Sequence, residues 1–95
     1  MVKVIWTDLA IDDLKSIYNF IAKDSQFYAT RYTEKLISKV DQLQYYPEIG
    51  RKVPEFNNKS IKEILEGKYR IVYKINPEYI AILRVHHSAK LLKSV

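Results

Sequence analysis

The sequence predicts an α+β domain: an N-terminal strand, two consecutive helices and a three-stranded meander (β-α-α-β-β-β), with both helices on one face of a mainly antiparallel sheet. Two apolar stripes at helical spacing follow one another in the first half of the chain, and period-two segments rich in β-branched and aromatic residues fill the second. Helices grouped in sequence, with the strands gathered after them, are the mark of this class.

Taken in order, Val2, Val4 and Trp6 alternate with Lys3 and Ile5, the pattern of a short strand ending at Thr7. Thr7 suits an N-cap, and Asp8, Asp12 and Asp13 favour the positive end of the helix that follows. Ala10, Leu14, Ile17, Tyr18 and Ile21 give that helix one apolar stripe over about residues 8–23. Ser25 can cap a second helix, whose stripe is Ala29, Tyr32, Leu36, Ile37, Val40 and Leu43; Pro47 and Gly50 stop it. Residues 47–59 have no periodicity and read as a loop carrying Arg51, Lys52 and Glu55 across the surface. Residues 60–66 resume as a strand, a tight turn at Gly67 leads into Tyr69, and Asn76-Pro77-Glu78 is turn chemistry between the last two strands. Ser88 to Lys93 has room for a short terminal helix.

The last hairpin carries the first functional signal. Setting Ile75 opposite Tyr79 places Val72 across from Ile82, Arg70 across from Arg84 and Lys68 across from His86. One face then holds Tyr69, Ile71, Tyr73, Ile75, Tyr79, Ala81, Leu83 and Val85 and is the core face. The other holds Lys68, Arg70, Val72, Lys74, Ile80, Ile82, Arg84 and His86 and is expected to stay open, with Arg70 exposed. Like charges directly opposite each other cost stability unless an anion or an acidic partner lies over them. Charge along the chain agrees: residues 1–46 hold six Lys or Arg and six Asp or Glu, whereas residues 47–95 hold ten and five, so the whole formal +5 sits in the second half. A basic surface of this kind meets RNA, DNA or an acidic protein; the bland alternative is that the extra cations keep a small domain soluble.

Other classes are set aside. Ninety-five residues are expected to form one domain, and 47% hydrophobic residues with two Gly and three Pro do not read as disorder. The absence of cysteine removes disulfide frameworks and thiolate metal sites. Two adjacent histidines and scattered carboxylates do not form a metal-ligand spacing, and no Gly-rich phosphate loop is present, so neither metal nor cofactor is expected. Met1 to Trp6 reaches Asp8 before an apolar region can form, no run approaches membrane-spanning length, and the cytoplasm is the expected compartment.

The order of elements and several local signatures resemble the RelE/ParE superfamily of toxins from bacterial type II toxin–antitoxin systems. The signatures are Trp6 before a helix start with Asp13-Leu14, Pro47 with Gly50-Arg51, Lys62-Glu63, Tyr69-Arg70-Ile71-Val72-Tyr73, and Val85-His86-His87-Ser88-Ala89-Lys90. The resemblance implies a compact toxin held inactive by a cognate antitoxin from the same operon. It also implies one of two mechanisms: RelE-like members cut mRNA in the ribosomal A site, and ParE-like members act on DNA gyrase and lack the nuclease residues. Arg70 stands where ribonuclease members carry a functional arginine. His86 stands where the YoeB-like branch has its C-terminal histidine, although that branch follows it with a tyrosine and this chain has His87. Glu55, in Lys52-Val53-Pro54-Glu55, is similar to the Lys-Pro-Glu of the same branch, whose glutamate is a proposed general base. The Gly50-Arg51 loop and the ending His87-Ser88-Ala89-Lys90 are closer to ParE-type members.

Chemistry supplies the roles. Cleaving RNA through its own 2′-hydroxyl needs a proton acceptor, a proton donor and cations around a phosphorane. Arg70 offers a planar, permanently charged fork, and a histidine can serve as acid or base near neutrality. Adjacent strand residues point to opposite faces, so His86 is the site candidate while the strand lasts and His87 replaces it if the strand ends at Val85. Arg70 and His86 are therefore catalytic candidates, the resemblance adds Glu55, and His87 and Lys90 are alternates. Arg51, Lys52, Lys68, Lys74, Arg84 and Lys90 are the cations to hold a target. A basic RNA-binding module or an adaptor is the rival reading; two helices before the meander do not fit the order of a double-stranded RNA module.

Overall fold

A computed structural model describes residues 1–89 and Leu92. Strand β1 (Lys3–Trp6) leads into helices α1 (Asp8–Ala22) and α2 (Gln26–Asp41), a 3-10 turn (Gln42–Gln44), and strands β2 (Arg51–Lys52), β3 (Ile61–Glu66), β4 (Tyr69–Ile75) and β5 (Tyr79–His87). The sheet order is β1-β5-β4-β3-β2, with β1 parallel to β5 and every other pair antiparallel. The expected class and helix placement hold; the strand the sequence hides is β2, two residues inside the stretch read as loop.

Both helix starts follow from their caps. The Oγ1 of Thr7 accepts the N–H of Ala10 and the Oγ of Ser25 accepts that of Tyr28, satisfying amides that the first turn leaves unpaired. Ala10, Ile17, Leu36, Val40 and Leu43 then pack on Ile71, Tyr73, Ile80, Ile82 and Val85 as the main core. Ile37 lies off that stripe and is exposed. The second helix ends at Asp41 in the 3-10 turn, before Pro47 is reached.

The β4–β5 register differs from the expected one. Ile75 opposes Ile80 and Tyr73 opposes Ile82, but Val72 opposes Arg84, Arg70 opposes His86 and Tyr69 opposes His87. Leu83 is the extra residue of a β-bulge, and a bulge reverses the alternation of faces beyond it. The turn moves the register by one residue, so Ile80 and Ile82, expected on the open face, lie in the helix-side core and Tyr79 is exposed, and the bulge then returns Val85 to the core face. Arg70 and Arg84 are not opposed.

Nor is the far face of the sheet open. Val72 alternates with Ile71 and Tyr73 and so points away from the helices, where it packs with Val53, Ile61, Leu92 and Phe56 in a second small core. Residues 53–56 and Leu92 thus lie across the part of the sheet that carries Arg70. Of the terminal helix suggested by residues 88–93, Ser88 and Ala89 form a turn and the rest except Leu92 falls outside the described residues, as does Lys90.

Candidate functional site

Arg70, 6% exposed, is the centre of an ion-pair cluster on the far face. Its Nε donates to Glu63 Oε1 at 2.7 Å, and its Nη1 and Nη2 donate to Glu55 Oε2 and Oε1, both at 2.7 Å. The second oxygen of Glu63 accepts from Arg51 Nε at 2.7 Å, and Glu55 Oε2 also accepts the backbone N–H of Leu92 at 3.0 Å. Two guanidinium groups meet two carboxylates, so the cluster is neutral. A buried charge is tolerated only when paired and hydrogen-bonded in this way.

Each partner has a structural origin. Glu63, in β3, opposes Val72 in β4 and Arg51 in β2, so the pleat turns its carboxylate toward the far face, where it is fully buried between the two arginines. Glu55 arrives on the loop that Val53 and Phe56 fix against the second core. The hydrogen bonds from Arg70 hold the Glu55 carboxyl well below its usual range, down to about 2. The same bonds hold the Arg70 guanidinium even more firmly protonated than usual.

Arg84 is also compensated. Its Nε and Nη2 donate to Asp13 Oδ2 and Oδ1 at 2.7 and 3.1 Å, and the backbone N–H of Val85 donates to the same carboxylate at 3.0 Å. Strand β1 pairs with β5 only as far as Ile82, so beyond Trp6 an edge amide of β5 lacks a strand partner, and Asp13 on α1 fills that role. The hydrogen bonds to Asp13 raise the Arg84 pKa.

The histidines divide as the strand alternation predicts. His86 stands opposite Arg70 in the ladder, and its Nε2 is buried without a hydrogen-bond partner among the described residues. His87 turns the other way, its ring edge-on to Tyr69 at 5.4 Å, and its Nδ1 accepts the N–H of Ala89 at 3.1 Å. Lys52 donates to Asn57 Oδ1 at 3.2 Å, while Lys68 and Lys74 are exposed and lie outside the cluster. The structure therefore brings together Arg70, Glu55 and Arg51, sets His86 opposite Arg70 in the ladder but in a separate concavity of about 380 Å³ with Arg84, His87 and Asp13, and leaves Lys68 and Lys74 apart.

Sequence reasoning gives Glu63 no role in a site and reads Asp13 only as a helix-start charge, not as the partner of Arg84. Glu63 had a signal: a carboxylate inside the apolar run Ile61-Lys62-Glu63-Ile64-Leu65 must find a cation if its face is covered. Elsewhere, α2 lines a groove of about 970 Å³ with Phe27, Tyr28, Tyr32, Arg31 and Lys35, in which Arg31 sits 5.8 Å from the centre of the Phe27 ring. Among the described residues no three His, Cys, Asp or Glu side chains converge as metal ligands, and no helix is long and apolar enough to cross a membrane.

Comparison with known proteins places this geometry. Residues 4–92 match the family described as the ParE toxin of the type II toxin–antitoxin system parDE. A relative named Toxin RelE2, from Caulobacter vibrioides, is 32% identical over 92 residues, covering 96% of this chain and all of the relative. Among solved structures, a chain of the chromosomal ParDE system from P. aeruginosa superposes with a TM-score of 0.77 at 22% identity, over 92% of this chain and 96% of that one. The YoeB dimer from Staphylococcus aureus superposes with a TM-score of 0.53 at 16% identity, over 90% and 95% of the two chains. Both superpositions bear on the fold alone.

Proposed function

Because this chain belongs to the ParE toxin family of type II toxin–antitoxin systems, we propose that it arrests growth by holding DNA gyrase in a poisoned state, not by cutting mRNA. The observation that supports this reading is the commitment of Arg70. Its charge is already matched by Glu55 and Glu63 through three bonds of 2.7 Å. A guanidinium stabilises a phosphorane when it is aimed at the developing charge and free to meet it. Nor is Glu55 poised as a base, because a carboxyl held near 2 has little affinity for a proton at neutral pH. Among the described residues His86 is left as the acid–base candidate opposite Arg70, with its Nε2 buried.

The antitoxin belongs to the same proposal. The α2 groove suits an amphipathic segment that lays apolar side chains along Phe27, Tyr28 and Tyr32 and offers acidic ones to Arg31 and Lys35.

A ribosome-dependent nuclease is the second reading, and one observation favours it. Arg51, Glu55, Arg70 and Ser88 line one concavity of about 390 Å³, so a substrate phosphate that displaced Glu55 would meet both arginines. Expression without antitoxin separates the two. Under the first reading plasmid topology changes within minutes of induction while transcript 5′ ends stay intact; under the second, in-frame cuts accumulate in translated mRNA and topology holds.

A further inference from the structure

The chain between α2 and β2 presents Tyr45, Tyr46 and Ile49 to solvent at 66, 63 and 57% exposure. Three apolar side chains clustered in five residues form a patch on the order of 400 Å², since an aromatic side chain can bury 150–250 Å² and these are about two-thirds exposed. Exposed apolar residues on a slack loop would be unremarkable. These are not slack. The Tyr45 and Tyr46 amides both donate to Gln42 O, at 3.1 and 3.0 Å, and the Ile49 amide donates to Tyr46 O at 3.2 Å. The buried phenol of Tyr73 then bolts the segment to the sheet, accepting the Gly50 N–H at 2.9 Å and donating to Pro47 O at 2.8 Å. Gly50 is required there, because a Cβ would lie 2.5 Å from the Tyr73 oxygen and 2.8 Å from the Glu63 carbonyl.

We infer that this segment is the anchor by which the toxin grips its target protein, which on the reading above is gyrase. Rigid aromatic side chains lose little entropy on binding, which is why Tyr is enriched among the few residues that dominate an interface. The charges around it choose the partner. From Gln42 to Gly50 the chain carries one charge, Glu48, and no cation, whereas a stacking platform for nucleic acid needs cations to follow the phosphates. The partner is therefore a protein with an apolar socket, and the exposed Lys52 that follows, held by the neutral Asn57 and not by a carboxylate, gives that socket an acidic edge. A second copy of this chain is the wrong occupant on area, because a stable dimer buries about 800 Å² per partner, roughly twice what the patch offers.

The test compares wild type with the double variant Tyr46→Ser/Ile49→Ser, and with each single variant, by growth arrest, poisoning of purified gyrase, antitoxin binding and sedimentation. All of these side chains are exposed, so the melting temperature should stay within a few degrees of wild type. The expected result is at least a tenfold loss of gyrase poisoning together with loss of growth arrest, while antitoxin binding is unchanged. Growth arrest retained by the double variant at wild-type abundance overturns the inference. So does loss of antitoxin binding with arrest retained, or a wild-type dimer that the variants dissolve. If wild type leaves gyrase untouched yet the variants still lose growth arrest, the gyrase reading fails and the anchor stands for another protein target.

Discussion

Arg70 and Glu55 meet fork to fork, with two parallel hydrogen bonds of 2.7 Å, and Glu63 takes the remaining Nε of the same guanidinium at 2.7 Å. Planar guanidinium and carboxylate groups fit each other in this way, and each such bond is stronger than one between neutral groups.

Removing Arg70 should therefore unfold more than it relieves. The Arg70→Ala variant leaves the buried Glu63 with Arg51 alone and strips Glu55 of its ion-pair partner, and breaking a buried pair costs about 3–5 kcal/mol. Arg70→Lys should recover only part of this, because an ammonium cannot hold two carboxylates in a planar fork. Urea unfolding of the three proteins measures it; wild-type stability in Arg70→Ala would contradict the burial of this residue.

Much of the fold was legible and this cluster was not. The helix caps at Thr7 and Ser25, the core face of β4 and the α+β class follow from local pattern, and the structure reproduces them. A ladder that starts with Ile75 opposite Tyr79 and runs unbroken puts Arg70 opposite Arg84, but the turn sets Ile75 opposite Ile80 and the bulge shifts the far end by one residue more. The bulge at Leu83 is marked by neither Gly nor Pro, the residues that usually signal one. The cover over the far face depends on Val53, Phe56 and Leu92, residues distant in sequence whose apolar character alone does not say where they pack. Resemblance makes Glu55 a candidate base; its fork with Arg70 is a tertiary fact that no spacing encodes.

The acid limb of stability should report Glu55. Its folded pKa lies below the ordinary value of 4.5, at about 2. Such a group contributes stability that is fully present above 4.5 and is lost as pH falls from there toward 2. Melting temperature against pH should therefore drop across that window, and Glu55→Gln should lower stability at pH 7 and flatten the drop. An unchanged acid limb in Glu55→Gln would show that the carboxyl titrates normally in the folded protein.

Asp13 should matter as an edge partner more than as a helix-start charge. Asp13→Asn keeps the shape but weakens the bonds to Arg84 and to the Val85 amide, at a cost of about 1–3 kcal/mol. Hydrogen exchange at Val85 should quicken more than at Ile71, which sits opposite it within the sheet. Equal changes at both amides would point to global loosening.

Tyr73→Phe should loosen residues 47–50 without opening the core. The phenol both accepts from Gly50 and donates to Pro47, so its loss leaves two backbone groups to find water, costing about 1–2 kcal/mol. Gly50→Ala should cost at least as much through the steric contact with Glu63 O. In the Tyr73→Phe protein, order parameters at Tyr46 and Ile49 should fall while those of α1 hold; a rigid segment without the hydroxyl would remove Tyr73 as its anchor.

The most direct measurement puts one preparation of the toxin into two purified reactions at neutral pH: gyrase with supercoiled plasmid and ATP, and programmed ribosomes with mRNA in the A site. With Arg70 committed to Glu55 and Glu63, the account predicts trapped gyrase–DNA cleavage complexes that increase with toxin concentration, and full-length mRNA throughout. Cleaved A-site mRNA with gyrase unaffected would contradict it, and would mean that the ribosome draws Glu55 away from Arg70 and frees the guanidinium for the scissile phosphate.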